Sequence, residues 1–334
     1  MKPFLKYPGG KTKEIPLVKK YMPKQVERYF EPFIGGGSVY FALGINASYI
    51  NDFSFDLINL YNLVKEQNDE LKELLLSFDE KWEHLSKQQA NKNTFADLDF
   101  LNYKEYISFY NSSLSRKSKT IERLIKEGNK IDRKNKKKIE ITARKTAFYM
   151  MIRKIYNNCV DNQVLRAGTY YFLREYCYSS MFRFSKNGDF NVPYGGMSYN
   201  EKYMKVKIDE IFSREMRQYM TNTIVSNKDF ESFLNDYELN ENDFIFLDPP
   251  YDSDFSTYDK NTFDKNEQIR LRNYLANTDS KWMLIIKKTD FITELYSKFN
   301  IYNYDMNYMV SFKNRNARNV EHLLITNYQL GGEL

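Results

Sequence analysis

Residues 245–251, Ile-Phe-Leu-Asp-Pro-Pro-Tyr, end an apolar run with a carboxylate, two prolines and an aromatic ring. Proline cannot donate to a ladder and is confined to sheet edges and strand ends, so a core strand must stop here. What the stop presents is chemically specific. Asp248 offers a carboxylate oxygen, Pro249 a carbonyl held still by its ring, and Tyr251 a flat aromatic face. Two fixed acceptors side by side suit an exocyclic NH2 with two hydrogens. Tyr251 can stack on the planar ring that bears the amine, worth ~1–3 kcal/mol for a nucleobase. An amine conjugated to such a ring is a poor nucleophile because its lone pair is delocalised. Accepting both its hydrogens favours a pyramidal nitrogen able to attack an electrophilic methyl group, and immobile acceptors are preorganised for the charge that then develops. A plain strand-ending turn is the weaker alternative, because the motif follows a buried strand as this chemistry requires.

Three other stretches carry possible ligand contacts. "FEPFIGGGS" places Phe33, Gly35 and Gly37 in an F-x-G-x-G pattern between a strand and a helix. Glycines let the backbone approach a ligand closely, and in an α/β sheet this turn lies where nucleotide-like ligands settle. It is not the dinucleotide G-x-G-x-x-G spacing, since position 40 is Tyr, and a simple tight turn stays open. Asp52 ends "YIND", where an acid can accept hydrogen bonds from ribose hydroxyls. Its alternative is a helix cap, and the glycines upstream favour the ligand. "KYPGGK" at 6–11 sets Lys11 to pair with the carboxylate tail of a methionine-derived cofactor and Tyr7 to cover its sulfonium region. On local evidence alone a surface turn is the stronger reading there. No metal is expected: the histidines, His84 and His322, lie far apart, and His322 sits in an apolar strand pattern.

These residues need an α/β frame. "VERYFEPFI" (26–34) reads as a strand entering the Gly turn, "SVYFALGI" as the start of a helix, "ASYIND" as a second strand, and "SFDLINLYNLVKEQNDELKELLLSF" as helical. That is the order of a parallel sheet. From about 79 to 145 the chain turns helical, polar and charged, with "SRKSK" at 115–119 and "DRKNKKK" at 132–138. Such runs are usually solvated faces; contact with phosphates is the second reading. Residues 170–197 read as aromatic and loop-rich. The α/β texture resumes at "NTIVSNKDFESFL", "DFIFLDPPY", "KWMLIIKK" and "NVEHLLITN". The expected organisation is a discontinuous catalytic domain, 1–64 and 222–334, interrupted by a mainly helical inserted domain, 65–221.

The 334 residues are 42% hydrophobic, enough for a sizeable core, and carry a net charge of +6, a mild bias toward polyanions. Two cysteines, Cys159 and Cys177, form no disulfide or metal pattern and fit a reducing interior. No apolar run approaches the ~20 residues of a membrane span. A soluble, cytoplasmic protein is expected.

In this order, "KYPGGK", "FEPFIGGGSVYFAL", "YINDFSFDLINLYN", "MFRFSKNGDFNVPYG", "FIFLDPPY" and "NVEHLLITN" resemble the Dam-type, alpha-class N6-adenine-specific DNA methyltransferases. The resemblance covers most of the chain. It implies a Rossmann-like S-adenosylmethionine-dependent sheet with an inserted target-recognition domain, and transfer of methyl to N6 of an adenine flipped from duplex DNA. By the same resemblance Tyr7, Lys11, Asp52 and Asp248 contact S-adenosyl-L-methionine, and Asp229 and Phe230 flank its adenine, unless Asp229 is only a helix cap. Arg183 matches the guanine-reading position, able to fork onto O6 and N7; a phosphate contact or structural ion pair is the alternative. The family usually has Asn-Gly where this chain has Ser179-Ser180, which puts a GATC target in doubt. Lys136, Lys137 and Lys138 in the insertion, and Lys313, Arg315 and Arg318 in "SFKNRNARN" (311–319), are read as phosphate contacts, against ordinary charged surface. Rival readings are methylation of cytosine N4, of adenine in RNA or of a glutamine amide, and a cofactor-binding DNA regulator without turnover. A monomer is expected, and a cognate restriction endonuclease is left open as a partner.

Overall fold

A computed structural model of the chain describes residues 1–126, 133–159, 161–250, 263–306 and 320–331. They fall into two compact units. The first comprises Met1–Pro3, Gly9–Ile58 and Tyr219–Leu334. Its strands are β1 (Arg28–Glu31), β2 (Ser48–Asn51), β3 (Thr223–Ser226), β4 (Asp243–Leu247), β5 (Lys281–Lys287), β6 (Asn300–Met306) and β7 (Val320–Thr326). They form one sheet in the order β3-β2-β1-β4-β5-β7-β6. The first five run parallel; β7 pairs antiparallel with both β5 and β6.

The amino-acid pattern accounts for this arrangement. All five residues of β4 are buried, as are Trp282 to Ile286 of β5. Continuous apolar runs are what a parallel strand covered on both faces requires. Helices α1 (Ile15–Tyr21), α2 (Ser38–Leu43), α10 (Phe230–Asn235), α11 (Lys265–Ala276) and α12 (Asp290–Leu295) belong to this unit. Phe233 and Leu234 of α10, Leu271 and Leu275 of α11 and Ile292 of α12 pack with Phe30, Ile245, Leu247 and Leu284 in one apolar cluster.

The strand order has a functional consequence. From β1 the chain moves outward through β2 to β3, then returns to the other side of β1 as β4 and moves outward again. The order therefore reverses between β1 and β4, and ligands of open α/β sheets bind at the carboxyl ends of the strands flanking such a reversal. The Gly turn leaves β1 at that edge, and Asp248-Pro249 leaves β4 beside it.

The second unit, Phe4–Pro8 and Asn59–Gln218, is helical. It contains most of α3 (Phe55–Lys65), then α4 (Asp69–Lys87), α5 (Tyr103–Lys126), α6 (Arg133–Asn158), α7 (Gln163–Tyr176), α8 (Lys205–Ile211) and most of α9 (Arg214–Met220). Trp82 of α4 lies at its centre, with the rings of Phe148, Phe172, Tyr176 and Tyr194 around it.

One expectation needs correction. The loop-rich reading from residue 170 fails for Tyr170–Tyr176, which complete α7. Every residue from Ala167 to Tyr176 is buried, the charged Arg174 and Glu175 among them, so the aromatic run that read as loop is the enclosed part of a helix. Strand β6 was not among the elements expected, although Tyr302-Asn303-Tyr304-Asp305-Met306 alternates as a half-covered strand does.

Candidate active site

Each loop at the switch edge is fixed by contacts within the first unit. Gly35 and Gly37 adopt φ of 47° and 70°, the left-handed region that glycine enters without strain. Gly37 caps α2, and its amide reaches back to Ile34 O at 2.7 Å, closing the turn. The Gly35 amide donates to Asp52 Oδ2 at 3.0 Å, and the Ser54 amide to Asp52 Oδ1 at 2.9 Å. Asp52 thus holds both the Gly turn and the Ser54 amide that leads into α3. The next residue, Phe53, is 58% exposed, an unusual state for a phenylalanine, and sequence reasoning did not single it out. Phe33 sets its ring 5.6 Å from that of Phe230 and 5.4 Å from that of Phe263.

Asn51 was also missed. It is 1% exposed, and its side-chain amide donates to Pro32 O and to Lys228 O, both at 3.0 Å, while its carbonyl accepts from the Lys228 amide at 2.9 Å. One buried side chain therefore ties the loop after β1 to the loop after β3. The signal was available: an amide closing an otherwise apolar strand is costly to bury unless it is fully bonded.

At the end of β4, Asp248 Oδ1 meets Lys11 Nζ at 2.5 Å. Lys11 is 2% exposed and also donates to Gly9 O at 3.1 Å. The ammonium expected to serve a cofactor carboxylate is thus engaged by the acid of the amine site. The Asp248 side chain keeps 21% of its surface exposed. Burial pushes its carboxyl up to about 6 despite the downward pull of Lys11. Pro249 is buried, and the Pro250 carbonyl accepts from the fully buried Gln268 of α11 at 3.3 Å, anchoring the turn to the helix that follows.

A further acid stands nearby. Glu31, the last residue of β1, is buried, takes the Tyr29 hydroxyl at 2.5 Å, and is pushed up to about 8. Burial is the main cause, and the negative charges of Asp248 and Asp52 add to it. Its place before Pro32 in the motif was the available clue. Asp229 caps α10 and pairs with Arg270 through two contacts of 2.8 and 2.5 Å, while that guanidinium lies 4.3 Å from the Phe230 ring centroid.

The other predicted residues lie apart from this cluster in the chain. Tyr7 belongs to the second unit, where the Arg174 guanidinium sits 4.5 Å from its ring centroid. Arg183 is exposed, and its Nε donates to Asn191 Oδ1 at 3.1 Å across a tight hairpin closed by a Phe184–Phe190 bridge. Ser179 and Ser180 both have left-handed φ, 54° and 52°. Asparagine and glycine tolerate that conformation, whereas serine holds it at a cost of ~1–2 kcal/mol per residue. Lys136, Lys137 and Lys138 are exposed on α6. Tyr251, Lys313, Arg315 and Arg318 lie outside the described residues.

An open sheet with a glycine turn and an acid-proline pair flanking its switch point is the α/β architecture in which nucleotide-like ligands settle at the strands' carboxyl ends. Residues 7–310 match the model of the D12 class N6 adenine-specific DNA methyltransferases, and the chain belongs to that family. It is 28% identical to the Type II methyltransferase M.CviBI of Paramecium bursaria Chlorella virus NC1A, over 98% of this chain and all of that protein. It is 26% identical to the Type II methyltransferase M1.LlaDCHI of Lactococcus lactis subsp. cremoris, over 98% of this chain and 96% of the relative. With the DNA adenine methylase of Salmonella typhi the identity is 24%, over 82% and 75%. Among the described residues no helix is long and apolar enough to cross a membrane.

Proposed function

We propose that this adenine-specific DNA methyltransferase acts on N6 of an adenine extruded from a specific duplex site, with the amine received by Asp248 and the Pro249 carbonyl. The observation that carries the assignment is the Lys11–Asp248 pair at the switch point. With Oδ1 held by Lys11, Oδ2 is the carboxylate oxygen offered to the amine. The pull of both acceptors lets the nitrogen lone pair leave conjugation, and the carboxylate offsets the positive charge that grows on N6. A carboxyl with an affinity for protons raised to about 6 also suits the proton that N6 must shed. Tyr251 is assigned the stacking face beneath the base.

S-adenosyl-L-methionine is the methyl donor the family implies, and the residues suit it. Asp52 provides an acid for ribose hydroxyls, the exposed Phe53 ring an apolar face for a purine, and the positive-φ glycines a close backbone approach. When bound, it supplies an electrophilic methyl on sulfur. Gly35, Gly37, Phe33 and Asp52 are assigned to its binding, with Tyr7 as the cover of its sulfonium end and Lys11 as the brace of Asp248. The helical second unit is assigned to target recognition, with Arg183 reading a guanine and Arg315 and Arg318 on phosphates. We further assign it to the cytoplasm as a monomer on duplex DNA, with a cognate restriction endonuclease as partner. Expressing the chain in a methylation-free host and sequencing its methylome tests the reading. N6-methyladenine confined to one sequence is the expected result; N4-methylcytosine, or no modified base, overturns it.

A further inference from the structure

Helix α6 carries two surfaces at its opposite ends. Its last turns hold the Arg183 hairpin: Tyr149 Oη donates to Val192 O at 2.8 Å and Arg153 Nη1 to Asn191 O at 3.3 Å. Asn157 both donates to Phe190 O, at 3.1 Å, and accepts from the Phe190 amide, at 2.9 Å. At the other end, Asn135 to Lys138 are exposed through a full turn, whereas Thr142 to Ile152 include most of the positions that α6 buries. An ion pair between Lys154 and Glu105 sets α5 antiparallel to α6, which brings the exposed Lys119 of α5 to the same end as Lys136–Lys138.

Helix stability does not account for lysines there. The amino end of a helix carries partial positive charge and favours acids, yet the first turn of α6 contains none. The same partial charge adds to the attraction of lysines for an anion, so this end of α6 is built to meet negative charge.

The spacing identifies what kind. From Lys137 to Asn157 is 20 residues of continuous helix, about 30 Å at 1.5 Å per residue. A duplex presents the same face again after one turn, about 34–36 Å along its axis. Two surfaces joined by one rigid rod of this length meet a duplex close to one turn apart. We propose that the Lys136–Lys138 end of α6 grips DNA phosphates on one flank of the recognition site, about 8–10 base pairs from the bases that the Arg183 hairpin reads. This rests on the DNA-methyltransferase reading, and gives the enzyme a one-sided footprint longer than its target sequence.

The test uses the intact protein and duplexes built on the sequence returned by the methylome, with either flank extended from 4 to 14 base pairs. Affinity is expected to rise about 10-fold or more when one flank passes 8–10 base pairs, and to stay level when the other is extended. The triple variant K136Q/K137Q/K138Q should lose that gain and flatten the slope of log affinity against log salt by 2–3 on the long duplex. Its turnover on the short duplex should match the unaltered enzyme. Indifference to both flanks overturns the proposal. So does a triple variant that keeps the gain, one weakened equally on short duplexes, or a preference for duplex RNA of the same length. Absence of methyl transfer by the unaltered protein on any duplex would instead overturn the parent reading. Matching circular dichroism melts separate a lost contact from a lost fold.

Discussion

Lys11 and Asp248 stand 237 residues apart in the chain and meet at 2.5 Å across the switch point of the sheet. The lysine leaves the turn after Gly9, the aspartate ends β4, and neither segment is the other's neighbour in sequence. Their pairing decides which carboxylate oxygen stays available and how strongly the acid holds its proton.

Asp248 must be ionised to accept from an amine, and burial holds its carboxyl near 6, above the usual aspartate value. Methyl transfer should therefore fall as pH drops through about 6 and level off above it. Lys11→Met removes the cation that opposes burial, so the acid limb should move to higher pH. Single-turnover rates across pH 5–9 check both, and a limb that stays in place would separate Lys11 from the acid. Asp248→Ala should abolish transfer of tritiated methyl while leaving DNA affinity within a few-fold.

Asn51→Ala leaves the Pro32 and Lys228 carbonyls and the Lys228 amide without their partner, a loss of roughly 2–4 kcal/mol in local stability. Because both freed loops lie at the cofactor edge, KM for the methyl donor should rise about 10-fold or more, with a smaller change in kcat. Equal losses in both, or a lowered melting temperature alone, would make Asn51 a purely structural residue.

Lys145 is fully buried, donates to Asn200 O, and lies 4.5 Å from the Trp82 ring centroid. Burial pulls its ammonium down to about 7. The unfolded chain then binds more protons than the folded one between about pH 7 and 10.5, so this group's contribution to stability should grow as pH rises through that window, by roughly 3–5 kcal/mol at most. Denaturant titrations of the unaltered protein and Lys145→Met at pH 7 and 9.5 isolate it, because the other titrating groups cancel in the difference. A constant difference between the two proteins would contradict the assignment.

Arg183→Ala should relax discrimination at one guanine by a factor corresponding to ~1–3 kcal/mol while weakening non-specific binding little. Uniform loss on every sequence would place its guanidinium on the backbone instead.

Most of the frame was legible because its signals are local. The strand, glycine turn, helix and acid of residues 28–52, and the strand leading to Asp248, each announce themselves within a dozen residues. The Lys11–Asp248 contact was not foreseen, since its partners come together only across the sheet, whereas Asn51 and Glu31 carried local clues that went unused. Helix α7 was passed over for another reason: its buried stretch, Ala167–Tyr176, is so rich in tyrosine and phenylalanine that it read as an aromatic loop.

Strand β1 is paired on one side with β2, which follows it within 20 residues, and on the other with β4, whose Asp243 stands opposite Arg28. On the ribosome, at roughly 5–20 residues per second, the second partner emerges some 10–40 s after the first. Through that interval the middle of the future sheet is an open edge, while every residue of the helical unit has already been made. The nascent chain must shelter that edge, and the clamp that Asn51 sets between Pro32 and Lys228 can close only once synthesis has passed the far end of the insertion.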